Sequence, residues 1–175
     1  PTQYVKSWTA KNGMQVLFRP IRPEDEPLMI KFHETLSDRS VYLRYLHPML
    51  LSQRVAHERL SRICFVDYDR ELALIAEGAE PQTGERLILA AGRLSRIHGT
   101  DDARYTMLIN DRFQGIGLGY ELLRRLLQWG RDEKIRRIVA TMTPDNRAMQ
   151  RVCEKLGFRL SRAADSPLVN AEIDL

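Results

Sequence analysis

Residues 111–119, "DRFQGIGLG", lie between an apolar run, "YTMLI", and a leucine-striped segment, "YELLRRLLQWGRDEK". Glycines at 115, 117 and 119 alternate with other residues, so something must approach this backbone too closely for side chains. Leu118, Leu122, Leu123, Leu126 and Leu127 recur at helical spacing and predict an amphipathic helix over 117–134. A strand that runs into a glycine turn and then a helix leaves several N–H groups unpaired at the helix start, pointing into one small volume. That volume suits an anion, and the glycines would admit a pyrophosphate to the main chain.

Spacing narrows the choice of anion. A P-loop ends in Gly-Lys-Ser/Thr, whereas Gly119 is followed by Tyr120 and Glu121, so no lysine is supplied for a terminal phosphate. The dinucleotide pattern G-x-G-x-x-G fails because the third glycine comes one residue early. Upstream, "ELALIAEGAE" (71–80), "RLILAAGRLSRI" (86–97) and "ARYTMLIN" (103–110) predict an antiparallel meander, with turns at "PQTGE" and "HGTDD".

Residues 14–21, "MQVLFRPI", predict a first strand, followed by a helix with Pro23 near its start. "DRSVYLRYL" and "SQRVAHERLSRI" predict short helices opened by Asp38 and Ser52, separated at His47-Pro48. Downstream, "RRIVATMT" is a strand. Asn146 to Leu156 is a helix with Met149, Val152, Cys153 and Leu156 on one face and Gly157 as its cap, and "FRLSR" and "LVNAEIDL" complete the sheet.

At 175 residues with 43% hydrophobic content the chain supports one core, expected over 14–175, with a linker-like segment at 1–13. The net charge of +4 is dispersed without a basic block, and no recognition-helix pattern accompanies it. Neither nucleic acid nor membrane is expected as a partner. Cys64 and Cys153 form no CxxC pair, the four histidines lie far apart, and no apolar run nears the roughly 20 residues of a membrane span. A cytoplasmic domain without a metal is expected, and the start at Pro1 suggests processing or excision from a longer polypeptide.

Gln114-x-x-Gly117-x-Gly119 after an apolar strand, with "PDNRAMQRVCEKLGF" some thirty residues later, resembles the acyl-CoA site of the Gcn5-related N-acetyltransferases (GNAT). The stretches "RPIRPEDEPLMIKFHETLSDRSVYLRYL" and "DYDRELALIAE" are further similar to the acetyltransferase domain of bacterial protein-lysine acetyltransferases, where it accompanies an acyl-CoA-synthetase-like region. The resemblance implies an α/β (α+β) fold: a mixed, mostly antiparallel sheet with helices on both faces and a splayed acyl-CoA cleft. It also implies acetyl-CoA as cosubstrate, a protein lysine as acceptor, and fusion to or pairing with a synthetase-like domain. It places the pyrophosphate on Gln114, Gly115, Ile116, Gly117, Leu118 and Gly119, the pantetheine along Met107, Leu108 and Ile109, and Asn146 near the cofactor's arm. From the residues alone, "PDN" before a helix is equally a cap.

Acyl transfer needs a neutral amine, and a free lysine is only about 0.04% neutral at pH 7. The resemblance implies a glutamate within an "AEF"-like triplet, but the equivalent here is Ala103-Arg104-Tyr105, and arginine accepts no proton. Where relatives carry a tyrosine to protonate the leaving thiolate, this chain has Cys153, on the apolar stripe of its helix. Candidate substitutes are Asp102, two residues before Arg104 on the same strand face, and Glu71, with Asp67 and Asp69 beside it. Two functions follow as expectations: an N-acetyltransferase, or an acyl-CoA-binding regulatory module that has lost catalysis.

Overall fold

The computed structural model describes residues 2–175. Eight strands form one sheet in the order β1-β2-β3-β4-β5-β6-β8-β7. They are β1 (Lys6–Thr9), β2 (Gln15–Pro20), β3 (Glu71–Ala79), β4 (Arg86–Arg96), β5 (Asp102–Ile109), β6 (Arg137–Met142), β7 (Arg159–Arg162) and β8 (Val169–Asp174). Every neighbouring pair is antiparallel except β5 and β6, which run parallel. The meander expected from the sequence is β3-β4-β5, and the mixed, mostly antiparallel sheet has helices on both faces.

Two apolar cores flank the sheet because its strands alternate. On one face Leu72, Leu74, Leu94, Ala103 and Tyr105 pack under α5 (Leu118–Asp132) and α6 (Arg147–Lys155). Leu118, Leu122, Leu123, Leu126 and Leu127 are all at most 1% exposed, and each such burial contributes about 1.5–3 kcal/mol. A Cβ added at Gly92 would meet Leu122 and Leu126 at 3.1 Å, so glycine lets α5 sit low on β4. On the other face Ala73, Ile75 and Leu108 pack with α1 (Glu26–Glu34), α2 (Asp38–Tyr45) and α4 (His57–Cys64). Arg19 on β2 anchors α1 there, since its guanidinium donates to both Asp25 carboxylate oxygens at 2.7 and 2.8 Å.

The structure differs from the sequence expectations in three places. Within the segment expected to be linker, Lys6–Thr9 is an edge strand paired with β2, and Trp8 packs 5.6 Å from the Phe18 ring. The helix expected over "SQRVAHERLSRI" is two, α3 (Leu51–Arg54) and α4. Arg54 is buried between them and donates to the Met49 and His33 carbonyls, which turns the chain at Val55. The caps also move by a residue or two. The Ser37 hydroxyl, rather than Asp38, accepts from the Ser40 N–H, and α3 begins after Leu50, whose N–H donates to the Gln53 side chain.

Candidate active site

The parallel pair β5/β6 is short. Asp102, Ala103 and Arg104 align with Arg137, Ile138 and Val139, and no residue of β5 beyond Arg104 pairs with β6. β5 continues to Ile109 on β4, while β6 continues to Met142 on β8. The two strands therefore splay, leaving a wedge of about 50 Å³ bordered by Tyr105, Thr106, Met107, Ala140 and Met142. The wedge shares Met107, Asn146 and Met149 with a larger cavity of about 540 Å³. A strand edge freed in this way offers main-chain donors and acceptors to an extended ligand, as if to another strand.

The glycine turn closes one end of the larger cavity. Gly115 and Gly117 have φ of +80° and +93°, in the left-handed region, and Gly117 is the N-cap of α5. Gly119 is needed for space instead: a Cβ there would lie 3.1 Å from Ile109 Cδ1. The first N–H groups of α5 have no intrahelical acceptor and carry the positive end of the helix dipole. The Lys11 N–H donates to the Ile116 carbonyl at 3.3 Å, tying the turn to the loop after β1.

Met107, Leu108, Ile109, Gln114, Gly115, Gly117, Leu118, Gly119 and Asn146 line one cavity. Ile116 is not among its lining residues; its side chain packs against the core and its carbonyl holds Lys11. Asn146 is both cap and wall, since its side chain accepts from the Met149 N–H at 3.4 Å. The rim adds cations that the sequence reading missed: Lys11, Arg147, Arg151 and Lys155. The last three recur every fourth residue along α6, a spacing visible in the sequence, whereas Lys11 reaches the rim only through the β1–β2 pairing.

The profile of the acetyltransferase (GNAT) domain family matches residues 15–159. The chain belongs to that family. An acetyltransferase of Pseudomonas aeruginosa is 28% identical to this GNAT domain over 154 residues, covering 88% of this chain and 80% of the relative. The crystal structure of the GNAT domain of S. lividans PAT superposes with a TM-score of 0.86 at 27% identity, covering 100% of this chain and 99% of the other. Mycobacterium smegmatis RimJ, in complex with CoA-disulfide, shares the fold at a TM-score of 0.72 and 18% identity, covering 97% of this chain and 86% of that one. Acyl-CoA dependence comes with the family.

The residues considered for proton transfer in this GNAT domain fall in different places. Arg104 is exposed on β5 at the last paired position before the splay and has no ion-pair partner among the described residues. Asp102 does not fit the expected base. It lies three residues from Tyr105, where the wedge begins, about 10 Å away along an extended strand, and is held by Arg137 at 2.9 Å and Arg136 at 3.3 Å. Burial pushes its carboxyl up, but the two guanidiniums outweigh this and hold it below the usual carboxylate range. Glu71 lies in the cross-sheet row Glu71, Ser95, Arg104, two strands or about 10 Å from Arg104. Its oxygens accept from Arg93 at 2.6 Å and Ser95 at 3.1 Å. Asp67 and Asp69 lie in the loop before β3.

Cys153 is not placed as a proton donor. Its side chain is 0% exposed and lines neither the wedge nor the larger cavity. Its sulfur lies 2.9 Å from the Tyr105 hydroxyl. Burial pushes the thiol up to about 11, with the Tyr105 hydrogen bond opposing. Tyr105 borders the wedge, and burial, followed by the contact with Cys153, raises its hydroxyl well above the ordinary phenol value. Tyr105 closes the Ala103-Arg104-Tyr105 triplet, directly after Arg104.

Proposed function

We propose that this GNAT domain is an N-acetyltransferase that moves acetyl from acetyl-CoA to a protein lysine amine by direct attack. The observation that carries the proposal is the splay of β5 from β6, which opens onto the glycine turn and the start of α5. In this reading the pyrophosphate rests on the main chain of residues 114–119, with Lys11, Arg147, Arg151 and Lys155 compensating phosphate charge. The pantetheine lies along Met107, Leu108 and Ile109, and the thioester reaches the wedge.

There the amine nitrogen attacks the thioester carbonyl carbon, and main-chain N–H groups of β5 stabilise the developing oxyanion. The C–S bond breaks, the nitrogen loses a proton to solvent or a base, and the thiolate takes up a proton. Positioning supplies most of the acceleration, since a general base is typically worth about 10²–10⁴. Fusion to a synthetase-like region and a cytoplasmic location belong to the same proposal. The fusion draws support from the likeness to the GNAT domain of S. lividans PAT.

Arg104 favours a second reading, a regulatory module that binds acyl-CoA without turning it over. Calorimetry with acetyl-CoA, followed by thiol release in the presence of lysine peptides, separates the two. Binding with peptide-dependent thiol release supports the transferase. Binding without release across pH and acceptors supports the module, and absence of binding at millimolar acetyl-CoA rejects both.

A further inference from the structure

A second cavity, of about 80 Å³, lies between the sheet and helices α1, α2 and α4. Its polar wall consists of Arg44, Arg59, Arg93 and His33, and Thr106 and Leu108 of β5 close it on the side of the wedge. Arg93 has a counterion in Glu71 at 2.6 Å. The other arginines have none among the described residues. Arg59 donates to the Arg54 carbonyl at 2.9 Å and the Tyr45 hydroxyl at 2.7 Å, and Arg54, directly behind, donates to the Met49 and His33 carbonyls. Arg44 has no hydrogen-bond partner among the described residues; it and Arg59 lie 4.6 and 5.4 Å from the centre of the Tyr45 ring.

Arg44 and Arg59 are half-buried, so their guanidiniums lose part of their hydration, which an anionic partner would restore. Carbonyls at a helix end account for Arg54, whereas Arg44 has only the face of the Tyr45 ring and no anion beside it among the described residues. His33 reports the excess positive charge: burial, then Arg59, Arg54 and Arg44, push its imidazole down to about 4. Arg44 also lines both the wedge and the acyl-CoA cavity, so all three spaces meet at its side chain. The volume equals that of about two to three water molecules, enough for a carboxylate and too little for an aromatic ring.

We infer that this cavity is an oxyanion subsite in which Arg44 and Arg59 hold a carboxylate beside the thioester, carried either by an acidic residue next to the acceptor lysine or by the far end of the acyl chain. The inference rests on the proposed acyl-CoA site for its position and on the unpaired arginines for its chemistry. Guanidinium forks match carboxylates in geometry and stay charged at any relevant pH. A lysine drawn in beside such a carboxylate would sit near cations that favour its neutral form, which eases the lack of a carboxylate at position 104.

The test uses the ligand-free protein with acetate as probe and the His33 ring signals in NMR as readout, at ionic strength held constant with chloride. Acetate should shift these signals saturably and raise the proton affinity of His33 about tenfold. Arg59→Met should lose the response and Arg59→Lys should keep it. Should Arg59→Met fail to fold, Arg59→Gln, which retains donors for the Arg54 and Tyr45 contacts, takes its place. A response equal to that of chloride, or one undiminished in a folded charge-removing variant, overturns the subsite. Because no cofactor is present, this outcome is independent of whether acetyl-CoA binds. Repeating the titration with acetyl-CoA or succinyl-CoA bound identifies the source. A response surviving both assigns the carboxylate to the acceptor, loss with succinyl-CoA alone assigns it to the acyl chain, and loss with both overturns a separate subsite.

Discussion

The Tyr105 hydroxyl and the Cys153 sulfur lie 2.9 Å apart where β5 meets α6, sealed beneath the wedge from which the larger cavity opens. The contact satisfies a phenol that is otherwise buried among apolar side chains. Replacing Cys153 by Ala leaves that hydroxyl without this partner, and the expected loss is about 1–3 kcal/mol of folding stability, measured by denaturant titration. With the thiol pushed up to about 11, only about 0.1% is thiolate at pH 8. Alkylation of the native protein should therefore leave Cys153 unmodified; rapid labelling would show an exposed, activated thiol instead.

Gly117 combines a φ of +93° with a prospective Cβ position 3.5 Å from Trp8. Valine there is strained by its backbone and pressed towards the indole, so the α5 N-terminus must shift. Gly117→Val should abolish acetyl-CoA binding in calorimetry. Gly115→Ala has the same kind of φ, +80°, but open space for its Cβ, so its cost should be about 1–2 kcal/mol of backbone strain with binding weakened rather than lost. Normal acetyl-CoA affinity in Gly117→Val places the ligand elsewhere.

Arg104 marks the last residue at which β5 and β6 remain paired. If transfer proceeds without a strong base, the rate on a lysine peptide rises with pH towards the amine's own pKa, near 10.4. Arg104→Glu then introduces a base on the exposed side of the strand and should raise the rate at pH 7 by about tenfold or more. A bell-shaped profile in the unmodified protein, with an acidic limb near pH 6–7, would instead mean that a carboxylate such as Glu71 already serves.

Asp102 should matter to stability through charge. Its carboxyl is held below its unfolded value by Arg137 and Arg136 against the opposing effect of burial. The stability it contributes is thus present above the unfolded pKa, near 3.9, and is lost as pH falls through the lower folded value. Asp102→Asn should melt at a lower temperature than the unmodified protein at pH 7, and the gap should close as both are titrated below about pH 4. A gap that is constant down to pH 2 would show that shape, not charge, is what the side chain supplies.

The local parts of this molecule were legible because they obey short-range rules. Leucines at helical spacing placed α5 at Leu118–Asp132, alternation placed the β3-β4-β5 meander, and the glycines marked the turn between strand and helix. Even the double role of Asn146, cap and cavity wall, could be anticipated from "PDN" before a helix together with the family resemblance. What the sequence could not settle depends on register and on distance through space. Asp102 and Arg104 share a strand face, which made the carboxylate a reasonable base on paper. Pairing with Arg137 fixes Asp102 at the closed end of β5, away from the cavity. Trp8 and Lys11 looked like linker until the β1–β2 pairing brought them against the glycine turn. The cluster of Arg44, Arg59 and His33 comes from three helices whose apolar faces pack on one side of the sheet, with the polar residues meeting where that packing leaves a gap. Secondary structure follows from neighbours a few residues apart, whereas the chemistry of a site follows from which side chains the packing brings together, and for this domain only the tertiary structure decided that.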